Sequence, residues 1–119
     1  MRNQPKYNFF KNTSYALNGL KDLLKTETSF KIELVVTALL LPVIVLIDAI
    51  LVYKILMFIT LMGMLIAESI NSAIERVVDL VTLEHNEMAG RAKDIGSSIV
   101  FLSIALFVVT WLTILAELV

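Results

Sequence analysis

The chain has 119 residues, 58% of them hydrophobic and 18% charged, with a formal net charge of −1; a soluble domain of this size holds about 45–50% apolar residues, so the excess points to a single integral-membrane domain. With no cysteine and one histidine, a single chain can hold no disulfide, thiolate metal site, Cys nucleophile or multi-histidine centre. The glycines at 19, 63, 90 and 96 form neither GxxxxGK[ST] nor GxGxxG, and the pI of about 5.7 argues against nucleic acid as a partner.

Residues 6–26 come first. Phe9/Phe10, Thr13, Ala16/Leu17, Leu20 and Leu23/Leu24 recur every three or four residues, with Lys11, Asn18, Lys21, Asp22 and Lys25 over much of the remaining surface. This is the pattern of a basic amphipathic helix, suited to an anionic inner leaflet or to packing on its own bundle. The first 30 residues lack the short apolar stretch followed by small residues that marks a signal peptide.

Three spans follow, at 30–47, at 51–67 with a cytoplasmic extension to about 81, and at 95–116. The uncharged run Ile95–Ala116 has 22 residues, about 33 Å of helix at 1.5 Å per residue, against a hydrocarbon core of about 30 Å. The runs Leu34–Ile47 and Ile55–Ala67 are 14 and 13 residues long; snorkelling of Lys31 and Lys54 at their ends lengthens them into spans. Pro42 is tolerable inside a transmembrane helix, where it can introduce a kink. Residues 1–31 carry six of the ten cations and residues 76–94 three more, which places the N-terminus in the cytoplasm and the C-terminus across the membrane in the periplasm. Trp111 and Tyr53, near the outer boundary, read as interfacial aromatic anchors.

The informative chemistry lies where the second span ends. On a helix Glu68, Glu75 and Asp79 fall within about 40° of one face, with Asn71 and Ser72 beside them. Glu27, Lys31 and Glu33 precede the first span and Arg91, Lys93 and Asp94 precede the third, so this topology gathers all of these charges at one cytoplasmic boundary. Ionisable groups at that depth are costly and read as functional. Oxygen-only ligands suit a hard cation such as Mg²⁺, which takes one or two carboxylates and completes its shell with water and phosphate oxygens. A further carboxylate serves as a base, while Lys93 and Arg91 neutralise phosphate. The set reads as phosphoryl transfer to an acceptor presented by the bilayer; the competing reading is a non-enzymatic Mg²⁺-binding subunit of a membrane oligomer.

The segment Glu68-x-x-Asn71-Ser72-Ala73-Ile74-Glu75-x-x-Val78-Asp79, with Ala89-Gly90-Arg91-Ala92-Lys93-Asp94-Ile95-Gly96-Ser97, resembles the small bacterial diacylglycerol kinase family, which includes the undecaprenol kinases. Ser14-Tyr15-Ala16-Leu17-x-Gly19-Leu20 and Glu27-x-x-Phe30-Lys31-x-Glu33 extend the match through nearly the whole chain. The resemblance implies an all-α integral-membrane homotrimer of three-span subunits, each with an N-terminal surface helix, in the bacterial inner membrane, with active sites shared between neighbours. It implies transfer of the ATP γ-phosphate to the primary hydroxyl of diacylglycerol, with undecaprenol as the alternative acceptor. By position, Glu68 is then the general base and Glu27 and Glu75 hold Mg²⁺. Tyr15, Glu84, His85, Asn86, Lys93 and Asp94 bind nucleotide, and Lys31, Glu33, Asn71 and Ser97 contact or support the lipid headgroup site. The chain departs from the family at Asn8, where an Arg is frequent, and at His85-Asn86, where an aromatic-His pair is usual.

Overall fold

The computed structural model describes residues 3–119; Arg2, one of the N-terminal cations, lies outside them. The described chain is all-helical, in the order α1 (Phe9–Thr26), α2 (Thr28–Leu46), α3 (Leu51–Val81) and α4 (Glu87–Leu118). The last three are long and apolar enough to cross a membrane. At 1.5 Å per residue α3 is about 46 Å long, so a helix spanning a core of about 30 Å must project well beyond it. That projection carries residues 68–81, where the carboxylates lie.

The starts of α1 and α4 are set by side-chain caps rather than by where charges interrupt the apolar runs. α1 begins at Phe9, not at residue 6, because the Asn8 side chain accepts from the Lys11 amide at 3.1 Å. α4 begins eight residues before the uncharged run, because Asn86 accepts from the Ala89 amide at 3.0 Å. Both are the N-cap bond that satisfies an otherwise orphaned amide of the first turn. A single extended residue, Glu27, separates α1 from α2 (φ −111°, ψ 108°). At the opposite end, Lys54 Nζ donates to the Val45 carbonyl at 3.1 Å, closing the C-terminus of α2 over the short turn to α3. Pro42 removes the N–H that would reach the Ala38 carbonyl, yet α2 runs through it.

α3 is the hub: α4 packs along it most extensively, α2 less so, and α1 touches α2. The core is Ile44, Met57, Leu61, Met64, Trp111 and Ile114, with Leu40, Leu41, Ile47, Tyr53 and Phe107 against it. Trp111 is therefore not an interfacial anchor. It is buried, donates from Nε1 to the Met57 carbonyl at 3.2 Å, and packs on the Phe107 ring at 5.1 Å between centroids. Hydroxyls within the helices bond back one turn, as Thr37 does to the Glu33 carbonyl and Thr60 to the Leu56 carbonyl, which satisfies each hydroxyl within its own helix. Outside the core, Val35, Leu39, Leu46, Ile59, Phe101, Leu102, Leu106 and Val109 are all exposed on the single chain.

Candidate functional site

Where α3 leaves the apolar core, polar side chains enter the interior. Glu68, Asn71 and Ser72 are buried there, Glu68 at only 6% exposure. They point inward because they continue the stripe that Leu61, Met64 and Leu65 occupy one or two turns earlier, a consequence of the 3.6-residue period. Glu33, half-buried on α2, faces Glu68, and its Oε2 is enclosed without a hydrogen-bond partner. Glu68 also lies within electrostatic reach of Glu75 and Glu27. Carboxylates from α2, α3 and the α1–α2 break thus surround Glu68, each within its electrostatic reach.

Two cations are committed nearby. Arg76 bonds to Asp22 and, from Nη2, to Glu27 Oε1 at 3.0 Å. Lys93 Nζ bonds to Asp79 Oδ1 at 2.7 Å, tying the start of α4 to the extension of α3. Asn71 Nδ2 donates to Glu75 Oε1 at 3.2 Å, while Asn71 Oδ1 is buried without a hydrogen-bond partner. That oxygen rests over Gly96 of α4, where a Cβ would sit 2.5 Å from it and 3.5 Å from Ile74 Cγ2. Gly96→Ala should therefore push the Asn71 amide off Glu75. Any activity that depends on the placement of Glu75 should fall in the purified variant by up to about 100-fold, the scale of a 1 Å misplacement around reacting atoms, while helix content by circular dichroism stays unchanged.

The candidate nucleotide residues do not form one cluster in the single chain. Glu84, His85, Asn86 and Lys93 line a cleft of about 370 Å³ with Val78, Thr82 and Ala89, between the end of α3 and the start of α4. Tyr15 is exposed on α1. Lys31, Asp94 and Ser97 are also exposed, on α2 and α4.

Among the described residues no three His, Cys, Asp or Glu side chains group as a metal cage. A cage is not what Mg²⁺ requires. Glu27 and Glu75, two carboxylates flanking the buried Glu68, are the donor chemistry Mg²⁺ takes when triphosphate and water supply the remaining oxygens. The donor set fits the ion.

A family profile described as prokaryotic diacylglycerol kinase matches residues 14–115, nearly the whole chain. The chain belongs to that family. It is 36% identical over 99 residues to the diacylglycerol kinase of Haemophilus influenzae, covering 83% of this chain and 84% of that protein. It is 37% identical over 103 residues to the diacylglycerol kinase of Pseudomonas aeruginosa, covering 87% and 84%. The undecaprenol kinase of Bacillus subtilis is 30% identical over 92 residues, covering 77% and 75%. Within this prokaryotic diacylglycerol kinase fold, sequence reading passed over Arg76 and Asp22, whose partners lie 54 positions apart. No local spacing signals such a pair. It also passed over the capping roles of Asn8 and Asn86, although an Asn directly before a helix is itself the signal.

Proposed function

We propose that the protein transfers the γ-phosphate of ATP to the primary hydroxyl of diacylglycerol at the cytoplasmic face of the bacterial inner membrane, giving phosphatidic acid. The observation that carries this reading is the buried Glu68, set where the apolar part of α3 ends and flanked by Glu27, Glu33 and Glu75. An acceptor hydroxyl held at bilayer depth reaches that carboxylate, while a triphosphate approaches from the aqueous side.

In the proposed reaction Glu68 takes the hydroxyl proton as the new O–P bond forms and ADP departs in line, with no phospho-enzyme intermediate. Mg²⁺, held by Glu27 and Glu75, supplies charge neutralisation to the phosphates when bound. Asn71 holds the Glu75 carboxylate by its amide. Glu33 and Ser97, with Lys31, serve the lipid headgroup side. Lys93, Asp94, Tyr15 and the Glu84–Asn86 stretch serve the nucleotide, Lys93 exchanging Asp79 for phosphate oxygens.

The working unit of the proposal is a homotrimer with sites completed by a neighbour. The apolar exposure along α2, α3 and α4 and the separation of Tyr15 from the Lys93 cleft support it. α1 is taken as a basic amphipathic surface helix, its Phe9, Phe10, Leu17 and Leu20 facing lipid. The N-terminus is cytoplasmic and the C-terminus periplasmic, by the bias of Lys and Arg.

Purified protein with Mg²⁺ and radiolabelled ATP should phosphorylate diacylglycerol in mixed micelles. It should do so with a higher kcat/KM than undecaprenol measured side by side. Preference for undecaprenol would reassign the acceptor, and no transfer to either would leave the non-enzymatic subunit.

A further inference from the structure

Among the described residues α1 buries no side chain. A hollow of about 250 Å³, lined by Gly19, Asp22, Leu23, Ser72, Ala73 and Arg76 among others, lies between it and α3. Apolar packing of α1 on the bundle is thus partial, limited to the half-buried Leu23 and to Leu20 and Leu24 beside Phe30 and Leu65, and the one-residue break at Glu27 is a natural pivot. The side-chain hydrogen bonds that cross the hollow converge on a single guanidinium. Arg76 donates from Nη1 to Asp22 Oδ2, and from Nη2 to Thr26 Oγ1 at 2.7 Å and Glu27 Oε1 at 3.0 Å. Thr26 Oγ1 in turn donates to the Asp22 carbonyl at 2.8 Å, which leaves its lone pairs turned toward the arginine. Three acceptors from the last turn of α1 and the pivot thus meet one planar fork, a geometry an ammonium does not reproduce.

We propose that Arg76 is a positioning residue: a clasp that spans the α1–α3 hollow, fixes the swing of α1 at the Glu27 pivot, and so sets Glu27 and Tyr15 relative to Glu68 and Glu75. Its catalytic consequence rests on the kinase site proposed above; its geometric consequence does not. An isolated exposed ion pair holds little. This one is a network of three bonds on a helix only partly packed on the bundle, so its loss loosens the angle of the whole element rather than one side chain.

The chain has no cysteine, so a pair introduced at Lys11 on α1 and Leu80 on α3, both exposed, takes spin labels cleanly. Labelled full-length protein, refolded with excess unlabelled protein into nanodiscs, should give a narrow intrachain distance distribution by double electron–electron resonance. Arg76→Gln and Asp22→Asn should each broaden it. In the unlabelled variants KM for MgATP should rise about fivefold, with kcat and the lipid KM changed less than twofold. The double variant should cost no more than Arg76→Gln alone, because Asp22 acts only through the clasp. An unchanged distribution in Arg76→Gln overturns the clasp. A broadened one with unchanged KM for MgATP, or additive effects in the double variant, overturns the positioning role. If the wild type phosphorylates neither lipid, the kinase reading fails by itself, and the distance measurement still decides the clasp.

Discussion

Glu68→Gln should leave a folded protein whose turnover falls by about 10²–10⁴, the range spanned by loss of a general base. The substitution conserves shape and keeps a hydrogen-bonding terminus, but the amide cannot take the proton of the acceptor hydroxyl. Stability should move the other way. Glu68 is 6% exposed and lies near Glu33, Glu27 and Glu75, so a neutral amide removes both a desolvated charge and its repulsions. The thermal midpoint in detergent should stay level or rise while activity disappears. Activity retained at the wild-type rate would remove Glu68 as the base; activity lost together with helix content and a lowered midpoint would mark it as a structural residue instead.

That opposition between stability and activity is what makes the acidic stripe legible in the sequence. Hydropathy alone separates three apolar helices from the N-terminal stretch, because lipid or protein interior must cover each of them. The 3.6-residue period then aligns Glu68 and Glu75 along one face of the extension of α3. Contacts between helices were not legible. Glu33 facing Glu68 depends on how α2 packs on α3, and the bonds from Arg76 to Asp22 and Glu27 depend on the direction in which α1 leaves the break. Trp111 shows the same limit. Its position near the end of an apolar run fits an interfacial ring equally well, and only the packing of α3 on α4 brings its indole to the Met57 carbonyl.

Helix ends were legible only where capping chemistry is local. Charge at Arg91, Lys93 and Asp94 ends the apolar run without ending the helix, since solvated charges on a projecting helix cost nothing in hydrogen bonds. α4 therefore continues back to the Asn86 cap. The two departures from the family pattern thus have a structural use here. Asn8 starts α1 and Asn86 starts α4, and Asn86 lines the same cleft as Glu84, His85 and Lys93.

Glu75→Gln should fail differently from Glu68→Gln, and the contrast separates a metal ligand from a base. The variant amide oxygen can still accept from Asn71 Nδ2 in place of Oε1, so the local structure is kept while one anionic oxygen donor is lost. Mg²⁺ binds carboxylates as a hard cation and gains little from a neutral amide. The Mg²⁺ concentration for half-maximal activity should therefore rise at least about tenfold, equivalent to about 1.4 kcal/mol of binding. Activity should recover in part as Mg²⁺ is raised at fixed ATP. Glu68→Gln should show no recovery at any Mg²⁺ concentration, because a proton acceptor is not replaced by a cation. Glu27→Gln should resemble Glu75→Gln in its Mg²⁺ dependence; in addition it loses charge opposite Arg76, so part of its defect should persist at saturating Mg²⁺. Were Glu75→Gln to show wild-type Mg²⁺ dependence with a depressed kcat, Glu75 would act on the acceptor side with Glu68, and the metal would fall to Glu27 and the phosphates. The Mg²⁺ titration of these three variants thus assigns each of the carboxylates around the buried Glu68 by what restores it.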